Sequence, residues 1–297
     1  MKSKAWTETV MQGVFFIAAC ASVLAVALIC IFLFANGIPA MKEIGFGEFL
    51  SGELWKPKNT IFGILPMIVG SLYVTAGAIV IGVPIGILTA VFMAYYCPKR
   101  IYKPLKTATE LLAGIPSVVY GFFGLVVIVP VIREMGRALK TAGVLRSGGN
   151  GSSILTASLL LGMMILPTVI GLTESSLRAV PTHYYEGAAA LGATHERAIF
   201  AVVLPAAKSG VVAAIVLGVG RAIGETMAVI MVAGNQARMP AGLFKGVRTL
   251  TANIVIEMGY AAGLHREALI ATGVVLFVFI LIINFLVAVL NRRNSHE

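Results

Sequence analysis

The feature that most constrains this chain is a series of apolar blocks, each long enough to cross a lipid bilayer. A helix of about 20 predominantly apolar residues is sufficient to span the hydrocarbon core. We therefore predict an all-α integral membrane bundle. Its six spans are expected at 10–34, 62–94, 108–131, 153–172, 209–233 and 268–290.

The composition agrees with a membrane protein. Of the 297 residues, 58% are hydrophobic and only 12% are charged, which excludes an ordinary soluble domain. We divide the chain into an N-terminal span with the first outer loop, 1–60, and a core, 61–297. The net charge is +10, but the basic residues are scattered over short loops and form no stripe. Membrane lipid is therefore an expected partner, and nucleic acid is not.

The cysteines and the N-terminus limit other interpretations. Cys20, Cys30 and Cys97 lack the spacing of a zinc site, so we predict no metal. The first apolar run follows Lys4 and resembles a secretory signal, but it continues to Phe34, which suits a retained span better.

The orientation depends on the basic residues near the spans. If both termini are cytoplasmic, Lys and Arg divide equally between the inner and outer segments, so the total does not decide. Two local clusters favour a cytoplasmic N-terminus. They are Lys99, Arg100, Lys103 and Lys106 in one short loop, and Arg292 with Arg293 after the last span.

Two local features modify these segments. Pro116 removes an internal hydrogen bond from the third span and should bend it. The loop after the first span contains Phe46, Phe49 and Trp55, which suggest a short amphipathic piece at the outer membrane interface.

The segment 181–208 is polar and divides into two short helical runs. The first begins at Thr182, and Gly192 is placed to end it in the left-handed conformation. Thr194 suits the N-cap of the second, which Pro205 should stop. Two short helices at an angle would form a compact elbow that protrudes from the membrane and fits a groove in another protein. On physical grounds alone, an ordinary connecting loop is the safer interpretation.

The elbow also has the spacing of a known signature. The pattern resembles the EAA signature of ABC-importer membrane subunits, and only Gly187 and Val202 depart mildly from the usual residues. The resemblance implies that the elbow is a coupling helix that docks on a separate ATPase subunit, and that the ATPase binds the ATP. The residues that match are Glu186, Ala188, Gly192, Leu204 and Pro205.

Two further stretches narrow the resemblance. Residues 110–121 (ELLAGIPSVVYG) and 220–229 (GRAIGETMAV) are similar to the PstC-type permease of phosphate-specific importers. This implies a type I ABC importer permease fold in a bacterial or archaeal cytoplasmic membrane. It also implies a second homologous permease in a heterodimer, two ATPase subunits and an outer soluble phosphate-binding receptor.

The predicted fifth span carries two charges near its middle, Arg221 and Glu225. A charge at mid-bilayer costs about 2.5–3.5 kcal/mol on insertion scales, so such residues face the bundle interior and usually mark function. Four residues apart on one helix, the two are expected to pair. Arg221 offers a fork of donors that matches phosphate oxygens. The alternative is a structural pair that fixes the span to its neighbours.

Three hydroxyl residues complete the expected substrate pathway. Thr226 follows the charged pair, while Ser117 and Tyr120 belong to the third span. Ser117 and Tyr120 could equally form hydrogen bonds between helices.

These features predict the permease subunit of an ATP-driven phosphate importer. The chain contains no Gly-Lys-Ser/Thr phosphate loop, so we expect a transport subunit that is not an enzyme and binds no cofactor itself. Another oxyanion importer, for sulfate, molybdate or tungstate, is the main alternative. A membrane enzyme is weaker because the sequence offers no clustered His and Glu set. A non-transporting membrane scaffold also remains open.

Overall fold

Helices make up most of the computed structural model, which describes residues 2–144 and 148–293, and the all-α prediction is confirmed. The predicted division of the chain also includes Met1, 145–147 and 294–297, which lie outside the described residues. In chain order the elements are α1 (Lys2–Ile44), α2 (Phe46–Ser51), β1 (Trp55–Lys56), β2 (Ile61–Phe62), α3 (Leu65–Val91), α4 (Lys99–Gly114), α5 (Ser117–Phe123), α6 (Val129–Thr141), α7 (Ile154–Ala179), α8 (Thr182–Ala190), α9 (His195–Ala198), α10 (Leu204–Ala206), α11 (Lys208–Gly224), α12 (Met227–Val232), α13 (Leu250–Met258) and α14 (Leu264–Arg293). Wider π-helical turns lie at Phe92–Tyr96, Gly124–Ile128 and Ile199–Val203.

The membrane-crossing segments agree with the predicted bundle. In the described part of the chain, five helical segments are long and apolar enough to span a bilayer: Val10–Ile44, Leu65–Tyr96, Ser117–Thr141, Ile154–Ala179 and Leu264–Phe285. The remaining span is part of a pair, His195–Ala206 and Lys208–Gly224, bent by 71°. Its membrane half, α11, has 17 residues and is about 26 Å long, which is short for a hydrocarbon core of about 30 Å.

The third span lies further along the chain than the predicted 108–131. Helix α4 ends at Gly114, and a new helix begins at Ser117. Ile115 and Pro116 between them are extended, with ψ angles of 126° and 142°. Proline disfavours the helical conformation of the residue before it, so the chain breaks here instead of bending as predicted.

The fifth span, predicted as one helix over 209–233, is also interrupted. Helix α11 ends at Gly224, Glu225 is extended with a ψ of 129°, and α12 begins at Met227. Gly224 makes this end of the helix easy to break, because glycine in a helix is less stable than alanine by roughly 0.5–1 kcal/mol.

The pair α3 and α7 forms the centre of the bundle. The buried side chains Val74 and Ala78 of α3 and Leu161 of α7 belong to one apolar cluster. A Cβ atom at Gly82 would lie only 2.6 Å from the carbonyl oxygen of Gly162. The missing side chain therefore allows the two backbones to pack closely, as small residues do in membrane helices.

Helix α1 stands largely apart from this centre. Its side chains from Met11 to Ile29 are exposed. Its last turns pack on α14, where the rings of Phe34 and Phe277 have centroids 5.9 Å apart in an edge-to-face arrangement. Exposed apolar side chains are stable in lipid, so α1 contributes a span that joins the bundle only near its C-terminal end.

The loop between the first two spans is folded onto the bundle. Strands β1 and β2 pair antiparallel with Trp55 opposite Phe62, and α2 forms the predicted short helix. Trp55 is only 6% exposed, so its ring packs inside the protein. Its indole Nε1–H donates to Glu257 Oε2 at 2.8 Å. Burial of an indole requires such a partner, and the carboxylate supplies it.

Glu257 is the centre of a buried polar cluster that holds this loop against the last helices. Arg248 Nη1 donates to Glu257 Oε1 at 2.6 Å, and His265 Nε2 lies 2.9 Å from Oε2. Arg248 also donates to the carbonyl oxygen of Asn235 and to Asn253 Oδ1, each at 3.1 Å. These contacts join β1, α13 and α14 to the loop that follows α12.

We predict that Trp55→Phe lowers the free energy of unfolding by about 1.5 kcal/mol, the lower end for a hydrogen bond to a charged group. An aromatic ring is kept, but it is smaller than the indole and leaves a cavity, and one donor to Glu257 is lost. Denaturant titration of the detergent-solubilised protein, followed by circular dichroism, measures the change. Tyr73→Phe on α3, where Tyr73 is exposed, is the matched control. Equal unfolding curves for the two variants would contradict the prediction.

Candidate functional site

The elbow has the local structure that its sequence predicts. Helix α8 begins at Thr182, and Gly192 follows its end with a φ of +83° in the left-handed region. The hydroxyl of Thr194 accepts the N–H of Arg197 at 3.4 Å and caps α9. Glu196 lies in the first turn of α9, where a negative charge complements the helix dipole.

The second half of the elbow differs from the prediction at Pro205. The helical path continues through Pro205 to Ala206, and the sharp change of direction follows at Ala207. The π-helical turn Ile199–Val203 precedes the proline, and its hydrogen bond runs from the N–H of Leu204 to the carbonyl oxygen of Ile199. Pro205 occupies the first turn of α10, where its missing N–H is tolerated.

The elbow is attached to the bundle on one side and free on the other. Ile199 and Val203 are buried, and the Tyr185 hydroxyl lies 2.7 Å from His195 Nδ1. The His195 ring also contacts Tyr96 at the end of the second span, with centroids 4.9 Å apart. These contacts fix the angle of the elbow to α3.

The free side of the elbow contains most of the signature residues. Glu186, Gly192 and Pro205 are exposed, and Ala188 and Leu204 are half-buried. Leu191 at the tip is 91% exposed. An apolar side chain so exposed on a protruding elbow is typical of a contact surface for another protein.

The predicted ion pair between Arg221 and Glu225 is wrong. Because the helix ends at Gly224, Glu225 no longer lies one turn above Arg221. Its Oε1 instead accepts the backbone N–H groups of Thr226 and Ala228, both at 3.1 Å. The Glu225 carboxylate therefore caps the N-terminus of α12, where it satisfies free donors and complements the helix dipole.

Arg221 is left exposed in the last turn of α11. Within the described part of the chain, its guanidinium makes neither a hydrogen bond nor an ion pair. Gly220 and Gly224 beside it leave open space, since a Cβ on either would meet nothing within 4 Å. An unpaired arginine at this depth is unfavourable against lipid, so this surface faces a polar pathway or another protein.

The two helix breaks lie next to each other. Helix α5 packs on α12 so closely that a Cβ on Gly121 would lie 2.9 Å from the Ala228 Cα. Tyr120 is buried, and its hydroxyl donates to the carbonyl oxygen of Leu112 at 2.9 Å. Non-helical backbone inside a membrane is tolerated only within protein or along a water-filled cavity.

The structure brings most of the predicted pathway residues to this junction. Arg221 lies in the last turn before the break in the fifth span, and the hydroxyl of Thr226 donates to the carbonyl oxygen of Gly224 at 3.2 Å in the break itself. Ser117 is half-buried at the start of α5, one turn before Tyr120. An apolar cavity of about 420 Å³ borders the first break, and Tyr120 is the one predicted pathway residue among those that line it: Leu112, Ile115, Val119, Tyr120, Phe123, Met163 and Leu166.

The sequence analysis missed one polar cluster near the elbow. Glu174 on α7 is buried and binds Tyr102, Lys106 and Arg178. The spacing of Glu174 and Arg178, four residues apart, is a signal that could have indicated it. The predicted end of the fourth span at residue 172 placed Glu174 in a loop instead.

A bundle of membrane-crossing helices with two adjacent breaks and a protruding two-helix elbow defines a class, the permeases of ABC importers. Solved structures share this fold. An inward-facing MetNI methionine ABC transporter chain matches with a TM-score of 0.59 at 19% identity, over 81% of this chain and 99% of that one. A chain of a bacterial ABC transporter involved in alginate import matches with a TM-score of 0.56 at 17% identity, over 94% and 96%.

Sequence comparison gives the family. Residues 82–296 match the binding-protein-dependent transport system inner membrane component family, and the chain belongs to it. The family is that of ABC permeases, so the protein is a multi-pass inner membrane transport subunit whose partners include an ATPase and a substrate-binding protein.

Curated relatives are similar over most of their length. The phosphate transport system permease protein PstC of Mesorhizobium japonicum is 36% identical over 89% of this chain and 82% of its own. The probable ABC transporter permease protein YqgH of Bacillus subtilis is 38% identical over 93% and 90%. The PstC protein of Haemophilus influenzae is 32% identical over 98% and 93%. The predicted resemblance to PstC-type permeases is confirmed.

Proposed function

We propose that the chain is the permease subunit of an ATP-driven importer of inorganic phosphate and forms half of the pathway. The observation that carries this is the unpaired Arg221 at the junction of two broken helices. Relatives with this architecture are named phosphate transport permeases, which supports the choice of substrate.

At this junction Arg221 binds the substrate or gates its path. Its planar guanidinium presents parallel N–H donors that fit two oxygens of one phosphate. Thr226, Ser117 and Tyr120 add hydroxyl groups around the same junction. Glu225 has a different role from the one first expected: it fixes the start of α12 and so keeps the break in place.

A similar second permease covers this face and completes the pathway, as a heterodimer. The exposed apolar side chains near the junction support this, because Val118, Val119 and Phe122 are more than half exposed beside the cavity. An outer receptor delivers phosphate, and two ATPase subunits bind the two elbows. This chain contributes its half of the substrate pathway and the elbow that couples to the ATPase, and the ATPase subunits carry out the ATP chemistry.

The elbow lies on the cytoplasmic side, and both termini do as well. Six spans return the chain to its starting side, and the basic cluster in the first half of α4 favours a cytoplasmic position for the start of that helix. Glu186, Ala188, Gly192, Leu204 and Pro205 form the ATPase contact. The segment 1–60 is then a peripheral addition to the core 61–297.

The test is uptake of radiolabelled phosphate by cells that lack their own high-affinity importer. The cells carry the wild-type chain with its permease partner, ATPase and receptor, and the same set without this chain is the control. We expect ATP-dependent uptake that excess unlabelled phosphate abolishes and excess sulfate or molybdate does not. Uptake of sulfate, molybdate or tungstate instead of phosphate would identify that oxyanion as the substrate.

A further inference from the structure

A buried carboxylate near the elbow joins two helices that the proposed mechanism must move together. Glu174 of α7 is 1% exposed. Its Oε1 accepts the Tyr102 hydroxyl at 2.6 Å and Arg178 Nε at 2.9 Å, and its Oε2 accepts Lys106 Nζ at 2.8 Å. Tyr102 and Lys106 belong to α4, so the carboxylate binds donors from both helices.

The cluster is fully bonded, as a buried charge requires. The hydrogen bond to Glu174 raises the pKa of Lys106, which stays charged at neutral pH. The hydrogen bond to Glu174 also raises the pKa of Tyr102, so its hydroxyl remains a donor. Arg178 lies over the Tyr102 ring, 4.7 Å from its centroid, and donates to the carbonyl oxygen of Met93 at 3.0 Å. Each polar group therefore has a defined orientation.

Helix α4 depends on this cluster for its position. None of its residues is buried, so apolar packing contributes little to holding it in place. Polar contacts hold it at two points: Tyr102 and Lys106 at Glu174, and the carbonyl oxygen of Leu112, which accepts the Tyr120 hydroxyl at 2.9 Å. The first point lies near the start of α4 and the second near its end.

The two points connect the elbow to the pathway. Glu174 lies about two helical turns before Pro181, where the elbow begins, on the helix that leads into it. Tyr120 belongs to α5, which packs on α12 at the junction of the helix breaks. Residues 102 and 112 are about 15 Å apart along a helix that rises 1.5 Å per residue. A rigid α4 therefore spans the distance between the coupling end and the break.

We propose that Glu174 is a positioning residue that fixes α4 to α7, so that movement of the elbow is transmitted through α4 to the break at Ile115 and Pro116. The inference rests on the proposed function. Without the Glu174 contacts, α4 loses its attachment near the elbow, and the ATPase cycle no longer moves the pathway with the same efficiency.

The test measures coupling in the complete transporter reconstituted into proteoliposomes with its partner permease, ATPase and phosphate-loaded receptor. Phosphate uptake and ATP hydrolysis are recorded in the same sample. For Glu174→Gln and Lys106→Met we expect uptake per ATP hydrolysed to fall roughly fivefold or more, the lower range of a coupling free energy between sites. Lys106→Arg keeps the charge and should retain the wild-type ratio of uptake to ATP hydrolysis. Lys103→Met replaces an exposed lysine on the same helix and should leave this ratio unchanged.

If uptake and ATP hydrolysis fell together, in proportion to a loss of folded complex, their ratio would be unchanged. This result would overturn the inference and leave the cluster as structural support. An unchanged ratio with full activity would overturn it as well.

A second readout separates this inference from the identity of the substrate. Spin labels at Thr107→Cys on α4 and His183→Cys on α8 report the distance between them by pulsed electron resonance, in a chain whose cysteines are replaced by serine. We expect a narrow distance distribution in the nucleotide-free and the ATP-trapped complex, and a broad one with Glu174→Gln. Equal widths would overturn the inference. Absence of phosphate uptake by the wild-type complex, with narrow distances, would overturn only the proposed substrate.

Discussion

Replacing Arg221 by glutamine is expected to lower phosphate uptake by about a hundredfold or more. A bidentate guanidinium–phosphate contact consists of two hydrogen bonds to charged groups, each worth about 1.5–3 kcal/mol, and every 1.4 kcal/mol is a factor of ten. Arg221 makes no bond that holds the described part of the chain together, so Arg221→Gln should leave membrane abundance and ATPase association intact.

Uptake of radiolabelled phosphate in the importer-deficient cells measures this effect. Arg221→Lys keeps the charge but loses the planar fork, so it should fall between the wild type and Arg221→Gln. Arg266→Gln removes an exposed arginine at the start of α14 and serves as the matched control. Full uptake by Arg221→Gln would remove Arg221 from both the substrate path and its gate.

Replacing Leu191 by aspartate is expected to weaken ATPase association at least about 30-fold, because anchor residues at protein interfaces contribute 2 kcal/mol or more. Leu191 is 91% exposed at the tip of the elbow, so the change costs the chain itself little stability. A buried carboxylate without a partner would destabilise the complex with the ATPase. Phosphate uptake should fall with the association.

Co-purification of the ATPase with the tagged permease, at several ATPase concentrations, measures the affinity. Leu191→Met preserves an apolar tip and should retain most of it. Leu54→Asp, an exposed leucine of the first outer loop, is the matched control for adding a negative charge. Undiminished ATPase binding by Leu191→Asp would place the coupling contact elsewhere on the chain.

The elbow could be predicted from sequence because its signals are local. Gly192 is in the left-handed region that ends α8, and Thr194 caps the next helix within three residues. Each signal involves neighbours in the chain, so no tertiary information was needed. Pro205 misled the prediction because the π-helical turn before it lets the helix continue past a residue that normally ends one.

The sequence suggested residues for the pathway but not their geometry. Hydrophobic blocks locate spans by length, and they do not register a break of two residues inside a block. The extended Ile115 therefore shifted the start of the third span. The extended Glu225 removed the expected pairing of Arg221 with Glu225. The role of Glu225 as a cap follows from the break itself, which only the structure reveals.

In the Glu174 cluster the spacing of Glu174 and Arg178 is a local signal, but the contacts with α4 lay beyond sequence reasoning. Two of its bonds join α7 to residues 68 and 72 positions earlier in the chain. No local periodicity links such distant positions. The same holds for Trp55 and Glu257, which are separated by 202 positions and meet only because the first outer loop folds over the last helices.

The placement of α1 has a consequence for biosynthesis. An apolar helix is stable in lipid by itself, so α1 can enter the bilayer as soon as it leaves the ribosome. Its contact with α14, between Phe34 and Phe277, cannot form until the last span has been made. At roughly 5–20 residues per second that interval is on the order of tens of seconds. Closure of α1 on α14 is therefore a late folding event, and a chain whose synthesis stops before α14 leaves the C-terminal end of α1 without its partner.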